Sequence, residues 1–239
     1  MVRTTKDQID LEHVDFSFIP SLRCNLSCSF CMYCAGPDVQ MVLDLGATRR
    51  FMKTVEWDRV AGWGLYGGEP SIDLSLYQRF YDLLPKHIKK FIITNGSWSK
   101  DKEKITEFLS WCAERVYVVV SGTPSHVAHQ NRSFLEELSK DSLGVIIKAD
   151  DELHPMGRLA KDDWTCTKKC LTHPQPIRVG LFPSGDFILQ NCDGVYPVLG
   201  DLKYSFRNIF NRARSIREQG CVKGCYNVND ILRKGGLLS

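Results

Sequence analysis

Apolar and polar positions follow two rhythms along the first 150 residues of the chain. Short β-prone runs at 14–19, 62–66, 91–94, 116–120 and 145–148 predict strands. Between them, apolar positions three and four apart predict helices over 48–60, 72–84, 101–113 and 133–140. Pro85 stops the second helix, Asn95-Gly96 closes the third strand and Ser121-Gly122 closes the fourth. Alternation of this kind predicts βαβ units and a parallel sheet, hence an α/β fold. Five strands are too few for a complete eight-stranded barrel, so an open or partial barrel is expected. In such sheets the chemistry collects at the carboxyl ends of the strands.

The rhythm changes after about residue 155. Segments 177–182 and 186–190 flank Pro183-Ser184-Gly185 and predict a β-hairpin; 204–218 predicts a helix. The expected division is a core over residues 1–158 and a second unit over 159–239. The second unit is too small to bury much core alone, and units of that size commonly use a metal or cluster as a staple.

Composition narrows the class. Hydrophobic residues make up 43% of the chain, enough for a real core. A formal charge of +3 gives no field directed at a polyanion, so nucleic acid is not supported as a partner, and the basic segment 207–217 reads as a solvated helix face. No stretch approaches the roughly 18 to 20 apolar residues of a membrane span. The first twelve residues are polar and charged, without the apolar run of a secretion signal. A cytoplasmic location with no membrane partner is the expectation.

The ten cysteines change the picture most. A reducing compartment disfavours a disulfide framework, and these cysteines are clustered. Cys24, Cys28, Cys31 and Cys34 lie in one short segment; Cys166, Cys170, Cys192, Cys221 and Cys225 lie in the last third; Cys112 stands alone in an amphipathic helix and reads as a packing residue. Clustered cysteines read first as metal or cluster ligands. Three thiolates spaced C-x3-C-x2-C, as at Cys24, Cys28 and Cys31, can hold three irons of a [4Fe–4S] cube and leave the fourth iron open to a cosubstrate. Cys34 is either a fourth ligand, which would close the site, or a bystander. A zinc knot is the alternative for the group; its second arm would have to come from the C-terminal third.

The C-x3-C-x2-C spacing, with Phe30 directly before its last cysteine, resembles the signature of the radical S-adenosylmethionine (SAM) superfamily. Gly67-Gly68-Glu69-Pro70, about 40 residues on at a strand end, is similar to that superfamily's GGEP motif. The resemblance implies a partial (β/α)6-type TIM barrel that binds a [4Fe–4S] cluster with an open iron. SAM chelates that iron by its amino and carboxylate groups. Its reductive cleavage releases methionine and a 5′-deoxyadenosyl radical, which abstracts hydrogen from a substrate. Gly67, Gly68, Glu69 and Pro70 would hold the SAM amino group. Thr94-Asn95-Gly96 resembles the family's TNG turn, and Ser121 and Lys148 end strands where the family meets the SAM ribose and carboxylate. As turn formers or solvated residues, Asn95, Ser121 and Lys148 also have ordinary readings. His126 and His129 follow the fourth strand and are candidates for proton transfer.

The second cysteine group resembles the auxiliary-cluster extension called the twitch domain, a shortened SPASM domain, and Gly200-Asp201-Leu202 through Asn208-Ile209-Phe210 is similar to the segment before its final cysteines. The last pair departs from the family, being C-x3-C rather than C-x2-C. The resemblance implies Cys170, Cys192, Cys221 and Cys225 as ligands of an auxiliary [4Fe–4S] cluster, with Cys166 able to replace Cys170. A zinc staple is the alternative. The short core with one auxiliary cluster resembles the radical SAM dehydrogenases of aminocyclitols. The expected reaction is therefore modification of a small polar molecule, a dehydrogenation with the auxiliary cluster accepting the electron. An external donor such as flavodoxin or ferredoxin would supply the first electron. No N-terminal peptide-binding extension precedes the motifs, which turns the expectation away from peptides; peptide maturation, nucleotide modification and a non-catalytic zinc or iron–sulfur module are the alternatives.

Overall fold

The computed structural model describes residues 11–141, 144–148, 157–159, 176–190, 196–219 and 228–238. Five strands run in parallel: β1 (Val14–Phe18), β2 (Val60–Leu65), β3 (Lys90–Thr94), β4 (Tyr117–Ser121) and β5 (Val145–Lys148). Helices α1 (Leu45–Met52), α2 (Leu74–Tyr81), α3 (Lys102–Cys112), α4 (Pro124–Val127) and α5 (Arg132–Asp141) connect them. Asp44, Asp73 and Asp101 cap the first three, each carboxylate accepting from backbone N–H groups of the first turn. The helix expected to reach residue 60 stops at Met52, and the chain re-forms as a 3-10 turn at Trp57–Arg59 before entering β2. Apolar residues at Val55 and Val60 gave the segment a helical look, but Val60 belongs to the strand that pairs with Val14.

The C-terminal third joins the sheet begun by the first five strands. β6 (Ile177–Leu181) is the first strand of the predicted hairpin, and it pairs in parallel with β1 from Val14↔Ile177 to Phe18↔Leu181. It is a sixth parallel strand of the same sheet. β7 (Asp186–Leu189) and β8 (Val198–Asp201) then add antiparallel strands, giving one eight-stranded sheet in the order β5-β4-β3-β2-β1-β6-β7-β8. The sheet therefore continues across the boundary expected at residue 158. The physical reason is burial: Ile177, Val179 and Leu181 extend the apolar face made by Val14, Phe16 and Phe18, and all six are essentially inaccessible. Helices α6 (Phe206–Gln219) and α7 (Val228–Lys234) complete the described elements.

Alternate residues of each strand divide the sheet into two faces. The helix-covered face is aromatic: Phe16 stacks on Trp63 at 4.8 Å, Phe51 meets Phe187 at 4.5 Å, and Phe206 of α6 closes on Phe16 at 5.9 Å. The opposite face carries Asp15, Ser17, Gly62, Gly64, Tyr66, Phe91, Ile93, Tyr117, Val119, Ser121, Ile146, Lys148 and Arg178, a mixed polar, aliphatic and aromatic set of which Tyr117, Ile146, Lys148 and Arg178 are exposed. A second, smaller apolar cluster sits at the carboxyl end of the sheet and joins Leu22, Tyr33, Cys34 and Ala35 to Phe182, Tyr196 and α7. Among the described residues no helix is long and apolar enough to cross a membrane.

Cys112 packs in the larger core, as its helical position predicted. Burial pushes its thiol up to about 12 from an ordinary 9.0. A raised pKa in the folded state means that the neutral thiol's contribution is present below pH 9.0 and is lost as pH rises through about 12. Cys112→Ala leaves a small cavity but removes this titration. Its stability deficit against the parent, measured by urea unfolding, should shrink across that alkaline window. A deficit constant with pH would contradict the buried-thiol account.

Candidate functional site

The site is built where β1, β2, β3 and β4 end. After β1 the chain runs on through Ser21, Leu22 and Arg23 into Cys24, and a loop carries Cys28, Cys31 and Cys34 before returning at Gly36. The loop is tied at its base: Cys24 N–H donates to the Gly36 carbonyl at 3.0 Å, and Gly36 N–H donates to the Leu22 carbonyl at 3.1 Å. Two turns follow each other inside it, Cys31 N–H to the Cys28 carbonyl (3.1 Å) and Cys34 N–H to the Cys31 carbonyl (3.3 Å). Cys34 itself has a left-handed backbone, φ 54°. That bend aims the Ala35 N–H at the Cys31 sulfur, 3.3 Å away.

Each of the three signature thiols has a polar neighbour. Leu26 N–H donates to Cys24 Sγ at 3.4 Å, and Asn95 Nδ2 approaches the same sulfur at 3.8 Å. Cys28 Sγ lies 3.4 Å from His126 Nε2, whose Nδ1 is 3.0 Å from the Thr123 hydroxyl. Cys31 Sγ has the Ala35 N–H. Donors placed on sulfur suit thiolate ligands, because they spread the negative charge that ligation requires. Burial pushes the Cys24 thiol up to about 11, and burial followed by the Cys31 thiol raises Cys28. Metal binding to such thiols releases protons. Among the described residues no three His, Cys, Asp or Glu side chains converge as a single ion would require. A cube does not ask for that, since each thiolate ligates its own iron. The donor set therefore fits a [4Fe–4S] cluster. Cys34 is 3% exposed and packs among Leu22, Ala35 and Tyr33 in the smaller apolar cluster, an environment suited to packing.

The glycine-rich turn after β2 lies directly against this loop. Gly68 N–H donates to the Ser21 carbonyl at 2.8 Å and Glu69 N–H donates to the Arg23 carbonyl at 3.0 Å. Gly67 has φ +138°, and a Cβ there would stand 2.4 Å from the Ser21 carbonyl oxygen; at Gly68 a Cβ would stand 1.8 Å from that of Arg23. Both glycines are thus required by the approach of the cysteine loop's own backbone. Pro70 is buried and opens a 3-10 turn behind them.

The Glu69 carboxylate is 1% exposed and bound internally: Oε1 accepts from the Thr94 hydroxyl (2.7 Å) and the Ser71 N–H (3.1 Å), and Oε2 accepts from the Asn95 N–H (2.7 Å). Burial raises its pKa while these bonds oppose the rise. Thr94 in turn accepts from Gly96 N–H and Trp98 Nε1, each at 3.0 Å. Glu69 therefore rivets the turn after β2 to the turn after β3. Asn95 extends the rivet to the cysteine loop, donating to Asn25 Oδ1 at 3.0 Å.

Gln130 was not singled out from the sequence, where an isolated glutamine in a polar turn carries no signal. Its Nε2 donates to the Asn95 and Ser121 carbonyls, both at 2.7 Å, and so spaces the ends of β3 and β4. Ser121 pairs in register with Lys148, and Gly122 N–H donates to the Lys148 carbonyl at 2.6 Å, so these two residues share one end of the sheet. His126 joins the site through Cys28; His129 is exposed one turn further on. Arg158, also missed, reaches the cysteine loop from beyond β5: Nη1 donates to the Cys28 carbonyl (2.6 Å) and Nη2 to the Ala35 carbonyl (2.7 Å).

Cys166, Cys170, Cys192, Cys221 and Cys225 lie outside the described residues. The chain approaching Cys192 is nevertheless anchored to the first site. Gln190 Nε2 donates to the Tyr33 hydroxyl at 2.9 Å, and its Oε1 accepts from Ser17 Oγ at 3.1 Å.

Comparison with known proteins adds a likeness of fold. The chain is similar to BtrN in complex with AdoMet and 2-DOIA, with a TM-score of 0.57 at 16% identity, over 97% of this chain and 92% of that one. Native anSMEcpe with bound AdoMet and Kp18Cys peptide aligns at a TM-score of 0.47 and 13% identity, over 86% and 82% of the two chains. Streptococcus suis SuiB bound to S-adenosylmethionine aligns at 0.43 and 13%, over 93% and 72%. No family model and no curated protein matches the sequence. At that identity the BtrN match is one of architecture, an α/β fold on a mostly parallel sheet, shared over nearly the whole of both chains.

Proposed function

We propose that this chain is a radical SAM enzyme. The observation that carries the reading is the joining of its three motifs into one body. The Gly67-Gly68-Glu69 backbone is hydrogen-bonded to the lead-in of the cysteine loop, and the Glu69 carboxylate holds the Thr94-Asn95 turn against both. Elements distant in sequence are thereby brought to the carboxyl end of the sheet, around three thiols that each have a polar neighbour. A zinc knot in the first group would not need the glycine turn or Asn95.

When bound, a [4Fe–4S] cluster and SAM would supply one-electron cleavage of the sulfonium and a radical able to take a hydrogen atom from substrate. The chain's own part is to hold and orient. Cys24, Cys28 and Cys31 would ligate the cluster. Gly67 and Gly68 would seat the turn against the cysteine loop so that its backbone can meet the SAM amino group, with Glu69 acting through the position of the turn. Asn95, Ser121 and Lys148, at successive strand ends, are proposed to meet the rest of SAM. His126 is proposed as a neighbour of the cluster rather than a proton shuttle, because its ring is engaged by Cys28 and Thr123.

The substrate is proposed to be a small polar molecule on the open face of the sheet, where Asp15, Tyr66 and Arg178 offer charged and aromatic surface. Oxidation of that molecule, with an auxiliary [4Fe–4S] cluster on Cys170, Cys192, Cys221 and Cys225 taking the electron, is the finer reading. The approach to Cys192 through Gln190, anchored to Tyr33 beside the first cysteine group, supports it. The fold likeness to BtrN, which is in complex with AdoMet and 2-DOIA, supports SAM binding. A flavodoxin or ferredoxin donor and a cytoplasmic setting belong to this proposal.

The test is anaerobic reconstitution followed by metal analysis and EPR with and without SAM. About eight irons per chain are expected, four per cube. A SAM-dependent change in the reduced spectrum and formation of 5′-deoxyadenosine are expected with them. Stoichiometric zinc without iron would replace the enzyme by a binding module.

A further inference from the structure

We propose that Arg158 is a positioning residue for the first cysteine loop, holding it ready for its cluster and fixing a positive charge beside that cluster. The inference rests on the radical SAM reading and goes beyond the signature residues, since nothing in the C-x3-C-x2-C pattern points to an arginine so far along the chain.

The geometry is specific. One residue engages three carbonyls of one loop. The guanidinium donates from Nη1 to Cys28 at 2.6 Å and from Nη2 to Ala35 at 2.7 Å, while the Arg158 backbone N–H donates to Cys31 at 3.1 Å. Cys28 and Cys31 are two of the three signature cysteines, and Ala35 is the residue whose N–H meets the Cys31 sulfur. Arg158 therefore clamps both turns of the loop and the strap that closes it. The fit at Gly36 is close as well: a Cβ there would stand 3.3 Å from Arg158 Nη2.

Arginine suits this task for two reasons. Its planar fork can bridge two acceptors that a lysine ammonium would meet only one at a time, and it stays charged at any working pH. A cube on three thiolates is net negative, and reduction adds a further negative charge. A fixed cation beside it favours the reduced form and raises the potential. Loop-to-cluster support of this outer-shell kind typically changes metal affinity by about 10–100-fold.

Arg158 also sits in the segment that leads from β5 to the second cysteine group. The clamp thus ties the path toward one set of cysteines to the loop that carries the other.

The experiment compares the reconstituted full chain with Arg158→Met and Arg158→Lys. First-site iron is defined as the iron missing from a Cys24/Cys28/Cys31 triple Ala variant. Two quantities are read: the rate at which first-site iron is lost to a chelator without oxygen, and the midpoint potential of that cluster by EPR-monitored titration. Arg158→Met should lose iron about tenfold faster or more, and its potential should move to more negative values. Arg158→Lys should also lose iron faster while keeping the parent potential, because the charge remains and the bridge does not. If Arg158→Met fails to fold, the Arg158→Lys rate decides. Parent-like retention and potential in the variants that fold would overturn the clamp and leave the enzyme reading intact. Absence of first-site iron in the parent would overturn both.

Discussion

Single replacement of Cys24, Cys28 or Cys31 by Ala should abolish 5′-deoxyadenosine formation and remove about four irons per chain, the content of one cube. The three thiols are not interchangeable spares: each leaves the loop at a different point, and each has its own polar neighbour, the Leu26 N–H, the His126 ring and the Ala35 N–H respectively. A cube deprived of one thiolate retains only two protein anchors and is exposed at two irons. Cys34 supplies the internal control. It lies in the same loop, but it is 3% exposed and packed in the smaller apolar cluster, with burial raising its thiol pKa. Cys34→Ala should retain the iron and the product. A variant of Cys24, Cys28 or Cys31 that still cleaves SAM would remove that residue from the ligand set. Loss of iron in a folded Cys34→Ala protein would make Cys34 a ligand.

Gly68→Ala should be nearly as damaging, although it removes no chemical group. The added Cβ would stand 1.8 Å from the Arg23 carbonyl oxygen and 2.4 Å from its carbonyl carbon. Those are main-chain atoms, so no rotamer change relieves the overlap. The turn has to part from the cysteine loop, and the bonds from Gly68 and Glu69 to Ser21 and Arg23 go with it. Overpacking of this kind costs about 3 kcal/mol or more where the backbone cannot shift. SAM binding, read by the EPR change, should be lost along with thermal stability. Gly46→Ala is the matched control. That glycine is the second residue of α1, and its Cβ would meet only side-chain atoms, the nearest being Asp44 Oδ1 at 3.2 Å. It should cost little, since alanine favours helix by about 1 kcal/mol over glycine. Parent-like stability and SAM response in Gly68→Ala would show that the turn and the loop are not coupled as described.

The fold was largely legible along the first 150 residues because parallel strands buried by helices announce themselves locally. β1 to β5 fall where β-prone runs predict them, shifted by a residue or two at their ends. The misreading of 48–60 as one helix came from apolar residues that serve two elements in turn. The C-terminal third was legible as elements but not as architecture. Its hairpin was predicted, yet β6 could equally have begun a separate unit. Its parallel pairing with β1 joins residues more than 160 positions apart, and no local pattern encodes such a partner. β8, α4 and α7 are short and carried no clear period.

At the candidate site, the proposed donor chemistry was readable locally. Three thiols at C-x3-C-x2-C, a Gly-Gly-Glu-Pro turn and a Thr-Asn-Gly turn, each following a strand, announced the carboxyl end of the sheet, because spacing and residue type are local properties. What the neighbours do follows from how the chain folds back on itself. The fold turned Glu69 inward as a rivet, since a carboxylate 1% exposed is held by the donors around it rather than by its motif. It brought Gln130 across two strand ends and Arg158 back over the cysteine loop from well over a hundred residues away. Backbone carbonyls left at strand ends and turns need donors from somewhere. Which side chain supplies them depends on how the chain returns through space, and that is settled by burial of the sheet's faces rather than by any motif.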